Sequence, residues 1–324
     1  MSNALQSEND SLLFQNKSAT AIPYDSSALR VWFILTISVS LFGSVLLVLL
    51  LSASCRFREL LLRGSCILIF HSMLIQLLIC AVICPILNIS SYLTLINNTT
   101  LVHCPTLIFF NTASDHTDNW AALFLAVNRF VAIVSPHHYD AWVSRKVLIC
   151  MIIIPWLIGI SDSLPVYFGI GGQTIIGPAG CAFETDVDGF YGTLWFVIGA
   201  YIPIGLMGII YTILFVRIGT ANRNRPNLAV PFEPNGQNAR LSTTQKRQIS
   251  IAKMLIGSFA WYCICFLPGP IIVSLFPGVY AVDQMLRLWI SGLLGLCGFA
   301  GCPIIFLASS ADYRTGVKGL FRMI

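Results

Sequence analysis

Asn111, Asp115, Asp118, Ala122 and Arg129 recur at i, i+4, i+7, i+11 and i+18, so in a helix they share one face. The surrounding chain is apolar, and a charge at membrane depth is costly unless it faces a protein interior. Such a face can do three kinds of chemistry. A carboxylate can act as counter-ion to a bound cation, two carboxylates can relay a proton or metal ion, and a guanidinium can grip an anionic or amide partner. For Asp115 the counter-ion role stands beside a plain hydrogen bond to a neighbouring helix. A metal-dependent or nucleophilic enzyme would need His, Asp and Cys at ligand spacing, and His71, His116 and Asp118 do not supply it. No catalytic residues are expected.

Seven apolar segments must position that face. Only 10% of residues are charged and 56% are hydrophobic, whereas a soluble domain carries about 25% charged residues. Lipid therefore does most of the solvating. Stretches long enough to span run over 30–54, 62–87, 104–134, 146–168, 190–217, 247–276 and 284–309. The third is the weakest by hydropathy, because Asp115, His116 and Asp118 interrupt it. The fold class expected is an all-α membrane protein, a seven-helix bundle closed by a short amphipathic helix over 311–323, where Tyr313, Val317, Leu320 and Phe321 oppose Arg314, Lys318 and Arg322. Residues 1–29 form a tail, 30–309 the membrane domain, and 310–324 the amphipathic helix with its end. The first 28 residues lack the basic-then-apolar pattern of a cleavable leader, so the first apolar run is expected to act as a signal anchor.

Orientation follows the cations. With the N-terminus outside, only Lys17, Arg30 and Arg287 are external, and 16 of the 19 Lys and Arg residues face the cytoplasm. The glycosylation tripeptides at Asn16, Asn88, Asn97 and Asn98 then fall outside, with Asn88 close to the bilayer. The loop over 218–246, rich in Asn, Pro, Gly and Arg, is expected to be flexible. Most of the eleven cysteines sit inside apolar runs as small core residues, while Cys104 and Cys181 lie beside loops. The location expected is the plasma membrane, crossed several times.

The motifs on these segments resemble the rhodopsin-like receptor family from the first helix to the amphipathic tail. Asn128-Arg129-Phe130, followed by Pro136 and Tyr139, stands where the family has an acid-Arg-aromatic triplet and the start of a loop. Cys104 precedes Arg129 by 25 residues, about 37 Å of helix, so the two mark opposite membrane faces. Trp156 and Pro165 fit the fourth helix, and Pro203 with Tyr211 the fifth. Cys265-Phe-Leu-Pro268 resembles the bend of the sixth, and Cys302-Pro303-Ile-Ile-Phe306 the inner end of the seventh. The resemblance implies a disulfide from Cys104 to Cys181, an extracellular ligand, a heterotrimeric G protein met by the inner ends of helices three, five and six, and no nucleic acid. Aligned on its prolines, it places Asn111, Asp115, Trp195, Phe266, Trp289 and Gly292 near the ligand, with Glu184, Asp186 and Asp188 at an acidic entrance. Asn111 stands where amine receptors keep an aspartate. No lysine occurs in the seventh segment, which argues against covalently bound retinal.

The departures are as informative. Gln76 occupies the helix-two position where the family holds sodium on an aspartate, and Asp118 stands where helix three offers a hydroxyl to the same ion. The carboxylate has crossed the pocket and is expected to face Gln76, holding a sodium ion (the sole cofactor admitted) or a proton. The residues flanking the arginine switch, Asn128 and Gln248, are amides where acids are usual. Restraint of Arg129 then rests on weaker neutral bonds, and basal signalling is expected. Ser44, Cys302 and Phe306 depart further, as in a divergent orphan or chemosensory member. Two other readings stay open: an ion- or proton-coupled transporter using Asp115 and Asp118, although no internal repeat is seen, and a receptor-like scaffold that does not couple.

Overall fold

The computed structural model describes residues 26–56, 64–97, 103–177, 180–185, 190–223, 236–276, 279 and 283–322. Asn16, Asn98, Asp186 and Asp188 lie outside the described residues. For Asn97, Glu184 and Gln248 the backbone alone is described.

Among the described residues six helical stretches are long and apolar enough to cross a bilayer. The first span is Ser26–Arg56. The second runs from Gly64–Leu78 through a π turn, Ile79–Ile83, into Cys84–Asn97. The fourth is Arg145–Tyr167. The fifth joins Phe190–Phe196, a π turn at Val197–Tyr201, and Ile202–Arg223. The sixth is Gly236–Phe266, extended past Leu267 by Pro268–Leu275. The seventh comprises Gln284–Arg287, a π turn at Leu288–Leu294, and Gly295–Ser309. The remaining long helix, Cys104–Val134, is the third span; its 31 residues cover about 46 Å.

That third span carries the charges because it is the post around which the bundle is built. Thr112, Ser114, His116, Thr117, Asp118, Asn119, Asn128 and Arg129 are all buried along it. It packs against the second, fourth, fifth and sixth spans. Polar groups that lipid could not solvate are thereby solvated by protein.

Spans gain little from the hydrophobic effect once inside lipid, so close packing and interhelical hydrogen bonds hold them together. Two glycines show how close the approach is. A Cβ at Gly159 would lie 2.3 Å from Thr117 Oγ1, and one at Gly199 would lie 2.1–2.4 Å from ring atoms of His116. Leu47, Leu50, Met73, Ile75, Met207, Leu214 and Met254 fill the centre.

Each π turn leaves backbone carbonyls without their ordinary helical partners, and a neighbouring span supplies donors. Ser40 Oγ donates to Cys80 O in the second span. Asn119 Nδ2 and Trp120 Nε1 donate to Gly199 O (3.0 Å) and Ile198 O (3.1 Å) in the fifth. Trp32 Nε1 donates to Leu288 O at 2.9 Å in the seventh. Pro85 and Pro203 stand two residues past the ends of two of these turns. A proline has no amide hydrogen to give back to the preceding turn, which is what lets the wider turn form there.

Outside the bundle the chain forms one element that the helical pattern does not announce. β1 (Gly172–Gly177) and β2 (Gly180–Thr185) pair antiparallel, with Ile176 opposite Cys181. Gly169 and Gly171, at φ 75° and 86°, turn the chain from the fourth span into this hairpin. A disulfide joins Cys181 to Cys104, with Cα atoms 5.4 Å apart, and so pins the hairpin to the head of the third span.

Two boundaries differ from expectation. The second span continues to Asn97, which buries Asn88 to 3% exposure inside the bundle and removes it as a glycosylation acceptor. The fifth and sixth spans reach Arg223 and back to Gly236, so helix occupies much of the loop expected to be flexible. Its Arg, Leu, Gln and Lys residues are good helix formers. The tail helix, Ala311–Phe321, lies across the inner end of the first and seventh spans. Its Tyr313 is buried and stacks on Phe306, 6.1 Å between ring centres. Arg314 Nη1 donates to the carbonyls of Leu307 (3.1 Å) and Ala308 and so caps the end of the seventh span.

Candidate functional site

Three polar stations follow one another down the third span. The outermost is a cavity of about 360 Å³ below the hairpin, within the range of small-molecule sites. Asn111, Asp115, Trp195, Phe266 and Gly292 line it, together with Trp32, Ile108, Phe196, Phe299 and Arg287. Trp289 packs instead with Leu29, Trp32 and Leu288, outside the cavity wall. Glu184 stands on β2 opposite Gln173. Asp115 is half-buried, and its Oδ2 accepts from Asn111 Nδ2 at 3.3 Å. One amide donor leaves acceptor capacity on this carboxylate, so the cavity has an acidic point in a mostly aromatic and aliphatic wall. No lysine lines it.

The cavity's back wall holds a pair that the sequence pattern did not single out. His116 Nδ1 lies 2.8 Å from Asp162 Oδ2 of the fourth span, and both side chains are buried. The imidazole also lies against Trp195, 5.2 Å between ring centres, and over Gly199. The contact joins spans three and four, and the ring packing on Trp195 adds the fifth at the same level. Asp162, in an otherwise apolar fourth segment, was the available signal.

The second station is a smaller cavity of about 50 Å³, lined by Ser72, Gln76, Asp118, Asn119, Tyr211, Ser258, Tyr262, Cys302 and Phe306 among others. Gln76 and Ser72 both present their side chains to the Asp118 carboxylate, Ser72 Oγ at 3.4 Å from Oδ1. Cys302 accepts from Ser258 Oγ at 3.2 Å and donates to Gly298 O at 3.3 Å. Ser72, Gln76, Asp118, Asn119, Ser258 and Tyr262 bring oxygen atoms to a space the size of one or two waters, whose remaining lining includes Ala122, Leu125, Met207, Leu255 and Phe259.

The third station is the inner mouth. Asn128 and Arg129 are fully buried. Tyr139, Cys66, Tyr211 and Tyr313 are among the groups that act on the guanidinium charge. Phe130 packs half-buried against the core, and Pro136 opens the short turn Pro136–His138 that leads to Tyr139. Tyr211 packs on Phe259, 5.1 Å between ring centres. Pro268 breaks the sixth span below its outer end, and Pro303 lies within the seventh. On the far side of the bundle Trp156 Nε1 donates to His71 Nε2 at 3.0 Å, tying the fourth span to the second.

Residues 43–289 match the family described as "7 transmembrane receptor (rhodopsin family)". Among curated proteins the chain is similar to short-wave-sensitive opsin 1 of Saimiri boliviensis boliviensis, 26% identical over 167 residues that cover 49% of this chain and 44% of the opsin. The human short-wave-sensitive opsin 1 is 25% identical over 170 residues, with the same coverage. The GQ-coupled rhodopsin of Mizuhopecten yessoensis is 25% identical over 154 residues, covering 46% of this chain and 30% of the relative. The chain thus matches less than half the length of each.

Proposed function

The chain belongs to the rhodopsin family of seven-transmembrane receptors, and on that premise we propose that it binds an extracellular ligand in the outer cavity and activates a heterotrimeric G protein at the inner mouth around Arg129. The observation that carries this reading is the stacking of both cavities and the buried arginine along one helix. A ligand that fits is small and largely apolar, with a hydrogen-bond donor or cationic group for Asp115. The N-terminus faces outward at the plasma membrane, in keeping with the distribution of Lys and Arg. The similarity to opsins does not extend to a lysine in the cavity wall, so a reversible ligand, whether peptide, lipid or chemosensory, suits the site better than a covalent chromophore. Nucleotide exchange on a G protein, measured in receptor nanodiscs against peptide, lipid and odorant libraries, tests the reading. Exchange no higher than in empty discs, with and without every ligand class, would overturn it.

The amide beside Arg129 bears on the resting state. Replacing Asn128 with aspartate puts a carboxylate in place of the amide next to Arg129 in sequence, where a charge-assisted bond would gain about 1 kcal/mol over a neutral one. Basal nucleotide exchange of Asn128→Asp is expected to fall about fivefold; an unchanged basal rate would show that this position does not restrain the arginine.

The middle cavity is assigned a sodium ion, or a proton, on Asp118. Raising sodium should lower agonist affinity in the wild type and leave Asp118→Asn indifferent. Equal sodium curves for the two proteins would remove the ion from the account.

A further inference from the structure

The outer cavity carries one charge of each sign, at different depths. Among its lining residues Arg287 is the one Lys or Arg and Asp115 the one Asp or Glu. Asp115 lies eleven residues inward of Cys104, where the third span begins, about 16 Å along that helix. Arg287 lies three residues inward of Gln284, where the seventh begins, about 5 Å along it. The cation therefore stands near the mouth and the acid on the order of 10 Å deeper. Most of the wall besides is aromatic or aliphatic, with Trp32, Ile108, Trp195, Phe266, Leu296 and Phe299.

Arg287 is set apart from the other outward cations. Arg30 is exposed, whereas Arg287 is half-buried in the cavity wall. A guanidinium has five N–H donors in a planar fork, so contact with the protein still leaves a pair for a ligand. That pair matches the two oxygens of a carboxylate, and an apolar wall screens the attraction less than water does. One cation balances a single negative charge, whereas a phosphate dianion would bring an excess. At the deeper end Asp115 takes one donor, Asn111 Nδ2 at 3.3 Å, and keeps room for another.

We infer that the outer cavity takes a small monocarboxylic acid with an apolar body and a hydroxyl or amine at its far end, the carboxylate on Arg287 and the donor on Asp115. This rests on the receptor reading, which makes the outer cavity a ligand site; the class of ligand rests on the two charges and the wall between them. A plain hydrocarbon would fill the wall and leave both charged groups unmet. A simple amine would meet Asp115 and bring nothing to Arg287. The two ends also fix the direction of binding, with the acid outward. Gly295 offers a way to close the space without touching either end. It lines the cavity, and a Cβ there would meet no neighbouring span within 4 Å, so the ring of Gly295→Phe has room to occupy the site.

The test uses the full-length protein in phosphatidylcholine nanodiscs and radiolabelled ω-hydroxydecanoic acid, whose extended chain is of the same order as the separation in depth. Empty discs give the share that only dissolves in lipid. Saturable binding above that share is expected. The methyl ester, which has no charge, should bind at least about tenfold more weakly, the loss expected for a charge-assisted hydrogen bond. Decanoic acid, which lacks the donor, should bind about twofold to tenfold more weakly. In Arg287→Gln the acid should fall to the level of the ester. In Asp115→Leu the hydroxy acid should fall to the level of decanoic acid. Each substitution then erases one chemical preference and spares the other, which a general loss of folding does not do. Gly295→Phe should abolish saturable binding of all three.

Uptake no greater than in empty discs overturns the assignment, and so do acid and ester bound alike by the wild type. Preferences that survive Arg287→Gln or Asp115→Leu, or binding indifferent to Gly295→Phe, overturn it as well. If a variant fails to fold, the wild-type comparison of acid, ester and decanoic acid decides. Nucleotide exchange on the same discs keeps the two readings apart. Saturable binding without exchange upholds the ligand class and counts against signalling, while exchange driven by other ligands, with no binding of the acid, upholds signalling and sinks the ligand class.

Discussion

Arg129→Ala at wild-type surface density is expected to lower ligand-stimulated G-protein activation by at least about tenfold, and to leave ligand affinity within about threefold. A charge-assisted hydrogen bond to a partner is worth about 1.5–3 kcal/mol, which sets the lower bound. The split between activity and folding is the informative part. The guanidinium is fully buried among Tyr139, Cys66, Tyr211 and Tyr313, so folding bears the cost of removing a cation from water. Deleting the cation relieves that cost while opening a cavity, and the two effects oppose each other. The melting midpoint should therefore stay close to that of the wild type. Side by side, melting curves and nucleotide exchange separate a signalling receptor from a scaffold, because a scaffold would tolerate the substitution in both.

The largest effect on stability is expected at Asp162. Removing one member of a buried polar pair leaves the other without its partner, at about 1–3 kcal/mol. Asp162→Ala should lower the melting midpoint in detergent by many degrees and reduce the yield of folded protein. His116→Leu combined with Asp162→Leu should recover part of the loss, because two apolar side chains leave no orphan. The effect should spread to the outer cavity, since His116 supports Trp195 from behind and both line it. A double variant no more stable than Asp162→Ala would mean that shape, and not polar pairing, makes this contact.

The bundle was legible in the sequence because lipid imposes a single rule, about 20 apolar residues per crossing. The third span breaks that rule, and its acids are the reason it sits in the centre. Arg129 and Asp118 could be placed at the two inner stations by spacing along one helix, since 1.5 Å per residue fixes depth. Contacts between helices were a different matter. Trp32 in the outer cavity wall, His116 paired with Asp162, and Tyr262 bound to Asn119 depend on the rotation of one span against another, which periodicity does not set. The hairpin had a local signal: two short runs with Ile, Thr and Phe around Gly177-Pro-Ala-Gly180. The long apolar runs on either side outweighed it. Trp289 shows the limit of alignment on prolines. The π turn at Leu288–Leu294 adds a residue to the turn and rotates what lies outward of it, so a residue counted back from Pro303 faces a different way.

That widened turn has a consequence for how the protein is made. A span entering the bilayer alone must satisfy its own backbone, and Pro203 leaves the fifth span without the amide donor for its preceding turn until Asn119 and Trp120 are at hand. Docking against the third span then supplies the donors and lets one extra residue into the turn, which rotates the outer portion by about 100°. The facing of Trp195 toward the outer cavity is in that case acquired at assembly. A fifth span grafted from a relative would bring its residues but not their direction, and the cavity would be complete only when the host's third span matched it.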